Sequence, residues 1–198
     1  MIIENLESKY KLILASNSPR RRELLAGLGL PFKVRVLENI DESYPDDLLV
    51  SEVALYIAGK KADAYRETLA ADELVITADT VVIVDDEILG KPVDEADAVR
   101  MLQAISGRTH QVTTGVCLLT QETDLRFAVT TDVTFKPLTD DEIHYYIDHY
   151  RPFDKAGAYG IQEWIGYIGV TGLHGSYYNV MGLPVQRIYE AIQKLNRQ

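Results

Sequence analysis

The segment Ser16–Arg22 combines a good helix start with a run of arginines directly after a predicted strand. Ser18 is suited to the N-cap and Pro19 to the first helical position. The free N–H groups of such a first turn bind anions, whereas the helix dipole disfavours arginines there by ~0.3–1 kcal/mol each. A bound phosphate would reverse that preference and accept paired hydrogen bonds from Arg20 or Arg21. The pattern favours a phosphate site over the alternative, a capped surface helix with solvated arginines.

Asp79 stands with Ala78 and Thr80 between two strongly apolar runs, residues 74–77 and 81–84. Burying an unpaired carboxylate is costly, so Asp79 needs a partner, a metal ion or a position at the mouth of a cleft. Metal ligation and general-base action on water are the functional hypotheses. The alternative is a strand-end aspartate that caps a turn, and this alternative is favoured when Asp79 is taken alone.

Three lysines and one glutamine are further candidates. Lys61 lies on the inward face of its predicted helix, Lys91 occupies the turn Gly-Lys-Pro, and Lys155 opens the run Lys-Ala-Gly-Ala-Tyr-Gly-Ile-Gln. Each lysine alone is typical of a snorkelling or solvated side chain. Gln162, which ends the run, can both donate and accept hydrogen bonds, as recognition of a base edge requires. Otherwise it is a hairpin glutamine.

Several other kinds of site are not indicated. His144 and His149 are five residues apart, which is not the spacing of a helical zinc pair. The sequence has no Walker A motif, no G-x-G-x-x-G motif and no nucleophile elbow. Cys117 lies in an apolar run and is typical of a core residue.

The order of apolar and polar residues predicts the elements that position these side chains. Strand–helix alternation early in the chain and hairpin-like strands later predict an α/β fold with a mixed sheet. The glycine- and tyrosine-rich segment 157–182 favours a binding lip over a second core. The predicted strands are 11–15, 32–37, 74–78, 81–84, 87–89, 111–119 and 126–135; the predicted helices are 19–28, 49–69 and 94–105, one opened by a capping box of Thr139 and Glu142, and one from Pro184.

Composition excludes several classes of protein. The chain has 198 residues, 46% apolar and 25% charged, values typical of a globular protein, and no repeat or linker divides it, so we expect a single domain. A formal net charge of −10 argues against nucleic acid and anionic membranes as partners. No apolar run spans a membrane and the first residues are not a secretory signal. A single cysteine precludes an intrachain disulfide, which fits a cytoplasmic location.

Taken together, these segments resemble the Maf family of nucleoside triphosphate pyrophosphatases. The resemblance follows the family order along nearly the whole chain, and its most specific parts are the S-x-S-P-R-R start and the K-A-G-A-Y-G-I-Q run. The matching segments are Ser16–Arg21, Asp41-Glu42, Lys61-Ala62, Ala78–Thr80, Gly90–Pro92, Ser106–Val112, Lys155–Gln162, Gly175-Ser176 and Gly182–Pro184.

The resemblance implies an α/β fold similar to inosine triphosphatase: an elongated mixed β-sheet with flanking helices, and two lobes around a cleft. Residues 1–10 would be an N-terminal extension, and the protein could form a homodimer. Members of the family cleave nucleoside triphosphates between the α and β phosphates with a divalent metal. The K-A-G-A-Y-G-I-Q run is similar to that of the subgroup that acts on dTTP and UTP, with modified pyrimidine nucleotides as further candidate substrates.

The resemblance also implies roles for individual residues. Asp79 matches the catalytic acid, and Arg20, Thr80 and Gln162 match specificity positions. Because a triphosphate carries about four negative charges, it needs a positive basin and a metal. We expect cationic side chains to converge on the phosphates beside Asp79, with Mg²⁺ or Mn²⁺ held by Glu42 or Asp79. The predicted substrate-binding residues are Ser16, Arg20, Arg21, Lys61, Thr80, Lys91, Lys155 and Gln162.

Two points stay open at the level of sequence. A nucleotide-binding regulator of septum formation, acting through partners without turnover, is the alternative function. In addition, Lys60 stands where many family members carry an acid, which leaves the charge pairing around Lys61 undefined.

Overall fold

The structure is a computed structural model in which residues 9–197 are described. The predicted N-terminal extension therefore lies almost entirely outside the described residues. Strands are β1 (Lys11–Leu14), β2 (Phe32–Val34), β3 (Glu73–Val84), β4 (Glu87–Leu89), β5 (Thr109–Leu119), β6 (Asp124–Phe135) and β7 (Val170–His174). Helices are α1 (Pro19–Ala26), α2 (Val50–Asp63), α3 (Glu95–Ile105), α4 (Asp140–Tyr150), α5 (Trp164–Gly169), α6 (Tyr177–Val180) and α7 (Val185–Leu195), with 3₁₀ turns at Arg66–Thr68 and Ala156–Ala158.

The described strands form one seven-stranded mixed sheet flanked by helices, which confirms the predicted α/β class. The strand order is β2-β1-β3-β5-β6-β7, and β4 pairs with β3 outside this path. Strand β1 is parallel to both β2 and β3, whereas β4 is antiparallel to β3 and β7 is antiparallel to β6. Parallel strands need crossover helices, and α1 and α2 occupy the two connections between β1, β2 and β3.

The chain divides into two compact units. One comprises the chain up to Asp79, Thr114–Val129 and the chain from Gly182. The other comprises Thr80–Thr113 and Thr130–Met181. Asp79 and Thr80, adjacent in strand β3, therefore belong to different units.

The first unit has a core between helix α2 and strands β1, β3 and β5. Ala58, Ala62, Val75 and Cys117 are fully buried in it. Cys117 is thus a core residue, as the sequence predicts, and burial raises the pKa of its thiol to about 11. Since small residues predominate on this face of α2, the helix can lie close to the sheet.

The second unit has a larger core, and part of the glycine-rich segment is built into it. Ala158, Tyr159, Ile161 and Ile165 are all buried there among helices α3 and α4. The expectation that segment 157–182 forms a binding lip rather than core is therefore wrong for its first third. The physical reason is that its aliphatic and tyrosine side chains supply apolar area that the short elements around them need.

Element boundaries differ most from the sequence analysis around Asp79. The two strands predicted on either side of it are a single twelve-residue strand, β3, so Asp79 lies within a strand and does not cap a turn. Asp85 and Asp86, with φ of 48° and 63°, form the tight turn to β4. The predicted helix 49–69 ends at Asp63 and continues only as a 3₁₀ turn.

Within residues 9–197, no helix has both the length and the apolar character that crossing a membrane requires.

Candidate active site

Helix α1 begins as its sequence predicts. The Ser18 side chain accepts a hydrogen bond from the Arg21 N–H at 3.4 Å, and Pro19 is the first helical residue. The buried Ser16 hydroxyl accepts a hydrogen bond from the Ser18 N–H at 3.2 Å, which fixes the approach to the helix. No acidic residue lies in the first turn, so the positive end of the helix dipole has no carboxylate of its own there.

Arg21 connects this helix start to strand β3. Its Nε donates to the Gly182 carbonyl and its Nη1 to the Ala78 carbonyl, both at 2.8 Å. Burial lowers the pKa of Arg21, while the Asp79 carboxylate acts in the opposite direction. Two guanidinium N–H groups therefore bind the protein itself, and Arg21 positions the peptide immediately before Asp79.

Asp79 forms an ion pair with Lys61. The Lys61 Nζ is 2.8 Å from Asp79 Oδ1 and 3.1 Å from Glu42 Oε1, so one ammonium joins both carboxylates. The Asp79 and Lys61 side chains are only 15% and 14% exposed, whereas that of Glu42 is 57% exposed. The partner that the sequence required for a half-buried Asp79 is thus Lys61, and the pair is only weakly screened by solvent.

Packing of helix α2 against the sheet fixes this ion pair. The buried Thr77 hydroxyl, two residues before Asp79, donates to the Ala58 carbonyl at 2.7 Å. A Cβ at Gly115 of strand β5 would come within 2.4 Å of the Ala54 backbone, so only glycine permits this approach of α2. Helix α2 consequently carries Lys61 to a defined place beside strand β3.

The loop that carries Glu42 is attached to helix α2 through Lys60. The Lys60 Nζ donates to Asp41 Oδ2 at 2.7 Å and to the Ser43 carbonyl at 2.9 Å. The hydrogen bonds from Lys60 and Ser43 hold the pKa of Asp41 well below its usual range. Lys60 therefore pairs with Asp41, and this answers the charge pairing that the sequence left undefined.

The carboxylates of Glu42 and Asp79 are the candidate metal ligands. Oε1 of Glu42 and Oδ1 of Asp79 both approach the Lys61 ammonium, so the two carboxylates converge. No group of three or more His, Cys, Asp or Glu side chains suited to a metal occurs in residues 9–197. Mg²⁺ is usually bound by one or two carboxylates together with substrate phosphates, and a converging pair fits that arrangement.

In the second unit, Lys155 is almost fully buried and forms ion pairs. Its Nζ is 2.7 Å from Asp154 Oδ1 and 3.1 Å from Glu163 Oε1. The Gly157 N–H, two residues further on, donates to the Gly90 carbonyl at 3.0 Å, so the Lys91 turn lies beside the Lys155 segment. Lys91 itself is exposed.

Gln162 carries an unusual buried acceptor. Its Oε1 is inaccessible to solvent and has no hydrogen-bond partner among the described residues. An orphaned buried polar atom costs roughly 1–3 kcal/mol, so such atoms are rare in proteins unless a ligand or an ordered water molecule satisfies them. The second unit thus presents an amide group whose oxygen is available to a donor.

The predicted residues therefore fall into two groups. Thr80 is half-buried in β3 at the boundary of the second unit, and Arg20 is half-buried in the first turn of α1, where its charge lowers the pKa of Arg21. The first unit contains Ser16, Arg20, Arg21, Glu42, Lys61 and Asp79; the second contains Thr80, Lys91, Lys155 and Gln162.

Tyr146 and Glu163 were not among the site residues predicted from the sequence. The buried Tyr146 hydroxyl donates to Glu163 Oε2 and accepts the Gly160 N–H at 3.0 Å. Burial raises the pKa of Tyr146, so its hydroxyl stays a donor. Glu163 directly follows the K-A-G-A-Y-G-I-Q run, and its position next to Gln162 was the signal that could have found it.

The sequence profile of the Maf-like protein family matches residues 11–195. The chain belongs to the Maf-like protein family. A relative from Phocaeicola vulgatus is 60% identical over 98% of this chain and 100% of its own length. A second, from Parabacteroides distasonis, is 56% identical over 97% of this chain and 99% of its own.

A third relative, from Porphyromonas gingivalis, is 52% identical over 97% of both chains. All three relatives are named dTTP/UTP pyrophosphatase. Among solved structures, a HAM1 protein from Coxiella burnetii aligns over 93% of this chain and 99% of that chain, with a TM-score of 0.46 and 16% identity.

Proposed function

We propose that this chain is a nucleoside triphosphate pyrophosphatase that hydrolyses dTTP and UTP to the monophosphate and pyrophosphate. Relatives of that name share 52–60% of their residues with nearly the whole chain. The structural observation that carries the proposal is the half-buried Asp79 carboxylate, held 2.8 Å from Lys61 within a strand. A carboxylate fixed in this way can act on water while cations neutralise the phosphates.

Asp79 is proposed to orient the attacking water and accept its proton. Lys61 binds one oxygen of the carboxylate, Oδ1, so Oδ2 is the oxygen proposed to accept the proton. General-base assistance of this kind contributes roughly 10²–10⁴-fold to the rate. Arg21, bound to the Ala78 carbonyl, keeps the adjacent backbone in place during the step.

Glu42 and Asp79 would hold the divalent metal, Mg²⁺ or Mn²⁺. When bound, the metal lowers the pKa of water and neutralises charge on the departing pyrophosphate. The proposed substrate contacts, besides Gln162, are Ser16, Arg20, Arg21, Lys61, Thr80, Lys91 and Lys155, of which Arg20 and Thr80 are the proposed specificity positions. The positive end of helix α1, which has no acid in its first turn, favours the binding of an anion there.

Gln162 is proposed to select the base. Uracil and thymine present a ring N3–H donor between two carbonyl oxygens, which matches an amide oxygen without a partner beside an amide NH₂. Cytosine has no hydrogen on N3, so the two acceptors would face each other. The chain should therefore prefer UTP to CTP.

The test is pyrophosphate release from dTTP, UTP, CTP and 7-methyl-GTP with added Mg²⁺ or Mn²⁺. We expect release from dTTP and UTP above the other two nucleotides, loss of release with a chelator, and recovery when the metal is restored. Tight nucleotide binding without pyrophosphate release would contradict the proposal and favour the regulator of septum formation. Undiminished release in the chelator would contradict the metal requirement alone.

A further inference from the structure

One tyrosine hydroxyl joins three parts of the second unit. Tyr146 lies in helix α4 and is fully buried. Its hydroxyl donates to the Glu163 carboxylate, at the start of helix α5, and accepts the N–H of Gly160 at 3.0 Å. Both ends of the short segment 160–163 are thus attached to the same oxygen atom, and Gln162 lies between them.

Glu163 is held from a second direction by Lys155. The carboxylate oxygen Oε2 accepts the Tyr146 hydroxyl, and Oε1 lies 3.1 Å from the Lys155 ammonium. Although Glu163 is the N-cap of α5, its side chain makes no capping hydrogen bond. Its carboxylate is therefore committed to Tyr146 and Lys155 rather than to its own helix.

The segment is also closed internally. The Glu163 N–H donates to the Gly160 carbonyl at 3.0 Å, which makes residues 160–163 a turn. A Cβ at Gly160 would lie 2.9 Å from the Gln162 Nε2 and 3.0 Å from the Glu163 Cδ, so both side chains cover this glycine closely. The amide of Gln162 is confined at its nitrogen end, while its oxygen has no partner among the described residues.

We propose that Tyr146 and Glu163 are positioning residues that fix the turn 160–163 so that Gln162 presents its amide to the pyrimidine base. The proposal rests on the function proposed above. Tyr146 is not among the proposed substrate contacts, whereas Glu163 also pairs with one of them, Lys155. Their effect is on discrimination between uracil and cytosine, because a displaced amide no longer distinguishes a ring N–H from a ring acceptor.

The decisive variant is Tyr146→Phe, which removes the hydroxyl and leaves the buried ring. We expect the preference for UTP over CTP, measured as the ratio of kcat/KM values, to fall about tenfold, mainly through a higher KM for UTP. Tyr150→Phe is the matched control, because it makes the same change one turn along α4 on a ring that stacks on Tyr146. This control should retain the ratio of the natural protein.

A structural effect is separated from a positioning effect by two further variants. In a Gln162→Ala background, Tyr146→Phe should cause no additional loss of the UTP:CTP ratio, since the residue through which it acts is absent. In Glu163→Gln the side-chain oxygen can still accept a hydrogen bond from the Tyr146 hydroxyl, so we expect a UTP:CTP ratio close to that of the natural protein. Glu163→Ala removes this acceptor and should lower the ratio. The proposal is overturned if Tyr146→Phe leaves the UTP:CTP ratio unchanged. It is also overturned if Tyr146→Phe lowers this ratio as much in the Gln162→Ala background as in the natural protein.

Failure of the proposed function gives a different result. If the natural protein binds UTP but releases no pyrophosphate, the function fails, and the UTP:CTP ratio is then measured from dissociation constants by calorimetry. A Tyr146→Phe variant that loses this binding ratio supports the positioning role even then, and one that keeps it overturns that role. Glu163→Ala provides the same comparison if Tyr146→Phe does not fold.

Discussion

The Lys61 ammonium lies between two carboxylates, 2.8 Å from Asp79 and 3.1 Å from Glu42. An unpaired charge is costly inside a strand of buried residues, so Asp79 needs such a partner. The helical spacing of Lys61 predicts that it faces inward, and the structure shows that it faces Asp79.

His110 is a buried residue outside the proposed chemistry, and it predicts a pH dependence of stability. Its Nε2 is hydrogen-bonded to the Tyr159 hydroxyl at 2.7 Å, and burial lowers its pKa to about 4, from 6.5. Between these values the unfolded chain binds a proton that the folded chain does not. The stability from neutral His110 is therefore complete above pH 6.5 and is lost as the pH falls towards 4.

We expect the free energy of unfolding to fall by roughly 2 kcal/mol between pH 7 and pH 5 through His110, as measured by urea denaturation. His110→Gln, which can still pair with Tyr159, should remove this part of the pH dependence. His174→Gln is the matched control, because the His174 side chain is 96% exposed. If the pH dependence is equal in the natural protein and in His110→Gln, burial of a neutral His110 is not its cause.

Among the elements, helix α4 is the one whose start the sequence defines most fully. Thr139 and Glu142 form the reciprocal capping box that their spacing predicts, and the helix begins at Asp140. Local hydrogen bonds of this kind depend on neighbours in the chain, so a sequence contains all the information they need. The same holds for Ser18 at the start of α1.

Thr139→Ala should destabilise the protein by about 1 kcal/mol, because it leaves the Glu142 N–H without its acceptor. Thr139→Ser retains the hydroxyl and should stay within a few tenths of a kcal/mol of the natural protein. Urea denaturation of the three proteins measures the difference. Equal midpoints for Thr139→Ala and Thr139→Ser would show that the cap contributes nothing to stability.

Contacts between distant elements explain what the sequence could not define. Alternation of strands and helices predicted the α/β class and most elements, yet it divided β3 in two at Asp79, because a charge in an apolar run looks like an end. The partners Lys61 and Arg21 are 18 and 57–58 residues away from this part of β3, and no local pattern identifies them. Tyr146 was missed for the same reason, since a tyrosine at helical spacing is typical of any core.

For the molecule as a whole, the family was evident from the sequence because its motifs are short, specific and in order along the chain. The chemistry of these motifs was not evident from the sequence, because each motif taken alone also fits a structural role. The structure adds the pairings within each unit: Lys61 with Asp79 and Glu42 in one, Lys155 with Glu163 in the other. Because of these pairings, the proposed roles can be tested at individual residues.

The most direct test of the central claim, that Asp79 acts on the water that cleaves the triphosphate, compares the natural protein with Asp79→Asn on UTP and Mg²⁺. Asparagine keeps an oxygen for Lys61, so the fold should persist, as circular dichroism can verify. Asp148→Asn, on the exposed side of α4, is the charge-matched control. We predict UMP and pyrophosphate from the natural protein and the control, and a rate roughly 10²–10⁴-fold lower for Asp79→Asn. Near-normal turnover by Asp79→Asn would contradict the account.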